Sequence, residues 1–594
     1  MAKTWSVAVS AALTLLGAGF AAADVKPLMN VEEFNSIAEE AEGFPQQKFR
    51  SSDIVAPLLQ VNSWDRAKTD DAPYIFLGSV YGHMRGGPMI LDASDLSLIY
   101  ADQQYENAYT SSVQTINGTQ YMMFWQGYHT RGHANGWCLV YDENYSMVYN
   151  VTAQGLHGAL ADMHEMKMTE EHTIIFTTYF NIPYDCTAKG GPEDALLMDS
   201  GFQEVDASTN EVIFDWHASK WFDIGDSWAR YDEGYGVGPD SGFDAFHINS
   251  VEKTASGNYL VSSRHLCSVI LVDGTDGHPI WVLGGHQNQF KDISDGKATN
   301  FGWQHDARFY KDEYHITMFD NHGERTGSCD EEEGCRTRGL QVKVDTTAMT
   351  VEVVQEYYHP EKMDAGAMGG FQPLESGNVM VAWGHTPGFV EYTYDGTPVM
   401  DVQRGMIGGK TQNDMFAYRV QKHEWVGRPR WPPAVAMDAP HGTTENATIF
   451  LSWNGATDIS TWAVLASDTA SEVHNPKNLI AHVNRTGFET TVELGSNTTA
   501  RYMGAAAVDE DGNILGSTYV FDMWSHQPIY MASEIESLKE SQEFNDHYKS
   551  VKLGGGGVVV MLAIGGGIFY LWRRRSSSRV DVEEARYKRV DTNE

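Results

Sequence analysis

The sequence is short of cysteine, of positive charge and of helical periodicity. Its five cysteines, Cys138, Cys186, Cys267, Cys329 and Cys335, form no C-x-x-C pair, and no H-E-x-x-H occurs. Both absences exclude the common zinc-ligand spacings. A Walker loop and a dinucleotide fingerprint are missing too, so no cofactor or metal is expected. Lys and Arg total 42 against 80 Asp and Glu, a formal charge of −38. That surface repels nucleic acid. It also sets a condition: an anionic substrate needs a local positive island built from Arg and His. Helical periodicity is confined to "MNVEEFNSIAEEAEGF" and "MASEIESLKESQEF".

Two apolar runs stand near the ends. "WSVAVSAALTLLGAGF" before "AAAD" reads as the core of a signal peptide, residues 1–23. "GGGGVVVMLAIGGGIFYLW", Gly554–Trp572, has the length that crosses a bilayer as a helix. "RRR" at Arg573–Arg575 assigns the following side to the cytoplasm and argues against a GPI signal. The expectation is a secretory-pathway, single-pass type I membrane glycoprotein with an extracellular or lumenal ectodomain. A juxtamembrane stalk is expected at 526–552, the transmembrane helix at 553–572 and a cytoplasmic tail at 573–594. Six sequons, at Asn117, Asn144, Asn150, Asn446, Asn484 and Asn497, are candidate N-glycosylation sites in that setting. Cys329 and Cys335 bracket "DEEEG" and could close a disulfide loop. An odd count leaves one cysteine over unless it bonds another chain.

Between the ends, short β-like runs alternate with Gly, Asn and Asp turns. "SGNYLVSSRHLCSVILVDGTDGHPIWVLGG" and "SGNVMVAWGHTPGFVEYTYDGTPVMDV" share one plan with "DEYHITMFDN…RGLQVKVDTTAMTVEVVQEY". About six such units of roughly 40–55 residues predict an all-β fold, a six-bladed β-propeller over residues 24–430. "WVGRPRWPPAVA" marks a linker. The alternating strands after it predict an immunoglobulin- or fibronectin-like β-sandwich over 431–525.

"FHINSVEKTASGNYLVSSRH", "IWVLGG", "FGWQHDARF", "ITMFDN" and "SGNVMVAWG" occur in the order of the arylsulfotransferase family, and residues 70–520 resemble it. "DMHEMKMT", "FQEVDASTNEVIFDW" and "FLSWNGATDISTW" resemble its eukaryotic, fungal or algal branch. The resemblance implies transfer of a sulfuryl group from a phenolic sulfate ester to another phenol, through a sulfo-histidine and without a nucleotide donor. In the family's chain order, His247 matches the first histidine slot and His305 the second. Arg325 matches the arginine, with Arg338 as competitor, and His385 matches the nucleophile.

The chemistry suits those residue types. The transferring group is anionic, so positioning and charge stabilisation do most of the work. A neutral imidazole is a good nucleophile and a proton carrier, and a guanidinium grips a sulfonate with its planar fork. Bland readings stand beside these. His164 and His265 read as histidines bonded to backbone, His322 as an exposed loop residue, and Asp306, Arg308, Asp320 and Asn321 as turn and packing residues. Trp303 or Trp383 could stack on an aromatic ring. Whether the protein is an enzyme stays open, because a non-catalytic binding or adhesion protein for an anionic or glycan ligand fits the same features.

Overall fold

The computed structural model describes residues 24–529 apart from 82–83, 106, 131, 239–240, 323–336, 408–414, 439–446 and 495–498. Turn-punctuated apolar runs fold almost wholly as strands. The one α-helix among these residues is Val31–Glu40, drawn from the "MNVEEF" segment. Its Asn30 side chain caps it by accepting the Glu32 and Glu33 N–H groups at 3.0 and 3.2 Å.

The strands form sheets of unequal size, antiparallel except where Lys291–Asp292 pairs parallel with Thr350–Tyr358. The strands from Ala108–Ile116 to Val212–His217 form one sheet of eight. Strands Ile248–Lys253 to Pro279–Gly284 form a sheet of four. A five-stranded sheet contains His305–Tyr310, and another contains Gly370–Pro373 and takes in Gln60–Trp64 from far upstream. Met415–His423 pairs with Tyr74–Tyr81. Beyond residue 431, a three-stranded and a six-stranded sheet share a core of Leu451, Trp462, Val464, Val492 and Phe521.

The all-β class is as expected, but the six-bladed propeller is corrected. The sheets form a half-barrel and not a closed six-bladed propeller. Two of the expected units are one continuous sheet, joined where Ala161 pairs with Gly136. A side chain at Gly136 would meet the Gln126 carbonyl oxygen at 2.1 Å, so glycine is what lets the backbones approach there. Repeat spacing reports turns and strands but not which edges pair.

The membrane anchor and the localisation built on it are also corrected. No helix among the described residues is long and apolar enough to cross a membrane, and the localisation is not determined. The segments 1–23, 530–552, 553–572 and 573–594 lie outside the described residues, as do Arg325, Cys329, Cys335, Asn446 and Asn497. Asn117, Asn150 and Asn484 are exposed and Asn144 is half-buried. Cys138 and Cys186 are buried thiols.

One feature of the packing positions the site. Strands Ala108–Ile116, Ala161–Met168, Ile248–Lys253, His305–Tyr310, Gly370–Pro373 and Met415–His423 lie beside one another across sheet boundaries. They bring the histidine motifs of distant sequence segments together.

Candidate functional site

Five of those six strands break register. The shifts fall between Tyr109 and Ser112, Ala161 and Met166, Ile248 and Ser250, His305 and Arg308, and Ala417 and Val420. A bulge leaves a residue unpaired and re-aims side chains. His247, Trp303 and Met368 have φ of 54°, 55° and 61°. Non-glycine residues rarely adopt this left-handed region, and such strain collects at functional sites.

Those devices gather a cluster of imidazoles. The His247 and His164 rings lie 4.8 Å apart, and His247 and His265 4.7 Å. Each is fixed by a hydrogen bond at Nδ1. His247 Nδ1 bonds Asp244 Oδ2 and His164 Nδ1 bonds Asp162 Oδ2, both at 2.5 Å. Donating Nδ1–H to a carboxylate leaves Nε2 as the basic nitrogen. Arg264 Nη1 donates to His265 Nε2 at 2.6 Å, so His265 gives its Nδ1–H to the Asp244 carbonyl, also at 2.6 Å. His305 has both nitrogens engaged, Nδ1 with Asn321 Oδ1 at 2.7 Å and Nε2 with the Met368 N–H at 3.3 Å. His385 is half-buried against the Phe416 ring at 5.7 Å, and its backbone N–H donates to the Ala367 carbonyl at 3.2 Å. His305 and His385 therefore flank the same short turn, one bonding Met368 and the other Ala367.

Burial pushes His247, His265 and His305 well below the ordinary imidazole range, and it holds His385 at about 4. The positive charge of Arg264 adds to the depression of all four. Four neutral imidazoles thus lie near the Arg264 guanidinium, which shares the cluster with the Asp162 and Asp244 carboxyls and is the cation among the described residues there that can meet an anion. Arg264 lies over the Trp303 ring at 5.0 Å. Burial pushes the Asp244 carboxyl up, and His265 draws it back. Burial would raise Asp162 too, but His164 and the hydrogen bonds it receives hold it at about 2.

Asp244, His247 and His265 put possible metal-ligand atoms within 4.8 Å of one another. The guanidinium bonded to His265 sets a positive charge at the same spot, which favours an anion over a cation.

The residues singled out by sequence fall into place unevenly. The His247 ring lies 4.7 Å from His265, which Arg264 bonds, and Arg264 Nη2 reaches the Gly366 carbonyl at 3.5 Å, next to the turn that His305 and His385 flank. Arg338 gives four of its five N–H donors to Asp320, Glu356, Asn300 and the Lys297 carbonyl, so it has no two-pronged face left for a sulfonate. His322, expected on an exposed loop, has a buried side chain 3.4 Å from Asp320. Trp383 is fully buried against Phe319 and His359, whereas Trp303 lines the cluster. Asp306 does not orient His305. It pairs with Arg308 and Arg419 and accepts the Phe371 N–H.

Arg264, Asp244, Asp162 and Asn321 are the partners that the sequence reading did not assign. An acid two or three residues before a histidine, in "DMH" and "DAFH", was the available signal.

Residues 112–405 match the family model of arylsulfotransferase (ASST). No curated protein matches the chain. Among solved structures, a protein of unknown function from Bacteroides caccae is 11% identical, with 58% of this chain and 97% of that chain covered and a TM-score of 0.34. A protein from Lactobacillus plantarum is 11% identical over 71% and 99% of the two chains, at a TM-score of 0.32. A luciferin-regenerating enzyme is 11% identical over 66% and 94%, at 0.24. Likenesses this remote bear on neither fold nor chemistry.

Proposed function

We propose that the protein is an arylsulfotransferase-like enzyme that moves a sulfuryl group between phenolic compounds through a sulfo-histidine, without a nucleotide sulfate donor. The observation that carries this reading is the placement of Arg264, which bonds His265 beside His247 and reaches the Gly366 carbonyl at 3.5 Å, next to the Ala367–Met368 turn that His305 and His385 flank. The family match over residues 112–405 supports it.

In the first half-reaction a neutral His385 ring nitrogen attacks sulfur. The N–S bond forms, the S–O bond to the aryl group breaks, and the phenolate leaves. Arg264 grips the sulfonate oxygens, with Arg325 the further candidate that chain order supplies. In the second half, the acceptor hydroxyl gives its proton to His247 Nε2 while its oxygen attacks sulfur and the N–S bond breaks. Asp244 holds the resulting imidazolium, which protonates the phenolate leaving in the next cycle. With both nitrogens engaged, His305 acts by positioning the Ala367–Met368 turn against which His385 docks.

The test is incubation of the purified protein with 4-nitrophenyl sulfate and a phenol. Nitrophenol release that needs the acceptor, and that disappears in His385→Ala, is the expected result. Release no greater from wild type than from His385→Ala would leave the alternative, a non-catalytic protein that captures an anionic ligand at Arg264.

A further inference from the structure

Beside the imidazole cluster lies a cavity of about 410 Å³, walled by His133, Leu156, Leu160, Tyr179, Phe180 and Met198. Its size falls within the range of roughly 300–1,000 Å³ usual for small-molecule sites. The Tyr179 ring is common to the cavity wall and to the surroundings of the cluster. That ring stacks on His133 at 5.8 Å, lies 5.5 Å from His164 and meets His247 edge-on at 5.8 Å. Phe180 forms a second aromatic wall, braced by His217 at 5.0 Å and His157 at 6.3 Å. None of the eleven lining residues is Asp, Glu, Lys or Arg, although such residues make up 21% of the sequence. The guanidinium that favours an anion therefore lies outside the cavity, in the cluster.

We infer that this cavity holds the aromatic ring of the acceptor and selects uncharged rings over carboxylated ones. The inference rests on the sulfuryl-transfer reading for the word acceptor, but the binding it describes can be measured without transfer. A flat ring laid against Phe180 gains stacking and apolar burial. Its hydroxyl reaches the His133 and Tyr179 end, towards His247. A carboxylate on the ring would be stripped of water with only the Asn135, Asn181, His133 and His157 side chains, and no Lys or Arg, among the lining residues to meet it, which is unfavourable.

The experiment is fluorescence titration of the full-length protein with two phenolic probes, 4-methylumbelliferone and 7-hydroxycoumarin-3-carboxylate. Wild type should bind the neutral probe about tenfold more tightly. Phe180→Ala should weaken that binding by about tenfold, the loss of one aromatic wall. Leu160→Arg should reverse the preference in favour of the carboxylate. Where Leu160→Arg does not fold, Leu160→Ala with Phe180→Ala carries the test through the neutral probe alone. Probe affinities unchanged in the folded variants overturn the inference, even if sulfuryl transfer is observed. The expected shifts without any sulfuryl transfer sustain an aryl-binding cavity and overturn the catalytic reading alone.

Discussion

At the scale of single residues, the site is made of histidines whose protonation is decided by their neighbours. Among the described residues no carboxylate bonds the His385 ring, and burial and Arg264 together hold it at about 4, so it stays neutral down to that pH. Activity that depends on its lone pair should be flat above about pH 5 and fall through an acid limb near 4. Removing the guanidinium in Arg264→Gln makes protonation easier, so the limb moves to higher pH. The plateau should drop by about 10²–10³ as well, the usual cost of losing one group that stabilises developing charge. A pH–rate profile reads both, and a fallen plateau with an unmoved limb would separate Arg264 from His385. Asp244→Asn can still accept the His247 Nδ1–H but cannot stabilise the imidazolium. Its kcat should fall by about 10²–10⁴ with KM little changed, as steady-state kinetics would show. His247 and His305 stand out in the sequence because their motifs are long and collinear, whereas His385 is singled out by chain order and strand position alone. Arg264, Asp244 and Asn321 were not legible, because each finds its histidine only after a strand bulges or a loop returns.

At the scale of elements, the strands that carry those histidines are locked from behind by buried charge. Glu165 receives Arg419 Nη1 at 2.9 Å and Arg308 Nη2 at 2.5 Å, while Asp306 receives Arg308 Nε at 3.0 Å. Burial alone would raise Glu165, but Arg308 and Arg419 overcome it and hold the carboxyl at about 2. The network ties strands Ala161–Met168, His305–Tyr310 and Met415–His423, and Arg419 also donates to the His164 carbonyl at 3.0 Å. Replacing one partner leaves a buried charge uncompensated, which costs about 3–5 kcal/mol. Arg419→Met should lower stability by that much in urea unfolding. Arg419→Met with Glu165→Gln should recover part of it, since the stranded charge is then gone. A double variant no more stable than the single one would mean the network matters less than the bulk of the arginine. "DMHEM" and "WQHDAR" showed that these strands carry charge. Their alternation did not show which face each side chain would take, because a bulge resets the period of two.

At the scale of the whole molecule, buried titratable groups set two opposing trends in stability with pH. His359 is buried beside Trp383 and held at about 4 against an ordinary 6.5. The unfolded chain therefore binds a proton that the folded one refuses, and stability is lost as pH falls from 6.5 towards 4. Asp24 does the reverse. Its Oδ2 accepts the Phe488 and Glu489 N–H groups, tying the first strands' approach to the sheets beyond residue 431. Burial pushes its carboxyl up from 3.8 to about 7, more than those two hydrogen bonds pull it down. Here the folded protein keeps a proton that the unfolded one has released. Stability is therefore lost as pH rises from 3.8 to about 7, and is level above. Asn at position 24 can accept the same two N–H groups without ever ionising. The stability of Asp24→Asn relative to wild type should grow across pH 4–7 and then stay constant. His359→Gln should gain on wild type in the other direction, as pH falls below 6.5. Thermal midpoints of the two variants and wild type across pH 4–8 test both signs at once. A difference for Asp24→Asn that does not vary with pH would mean that its carboxyl titrates in the folded protein as it does in the unfolded chain.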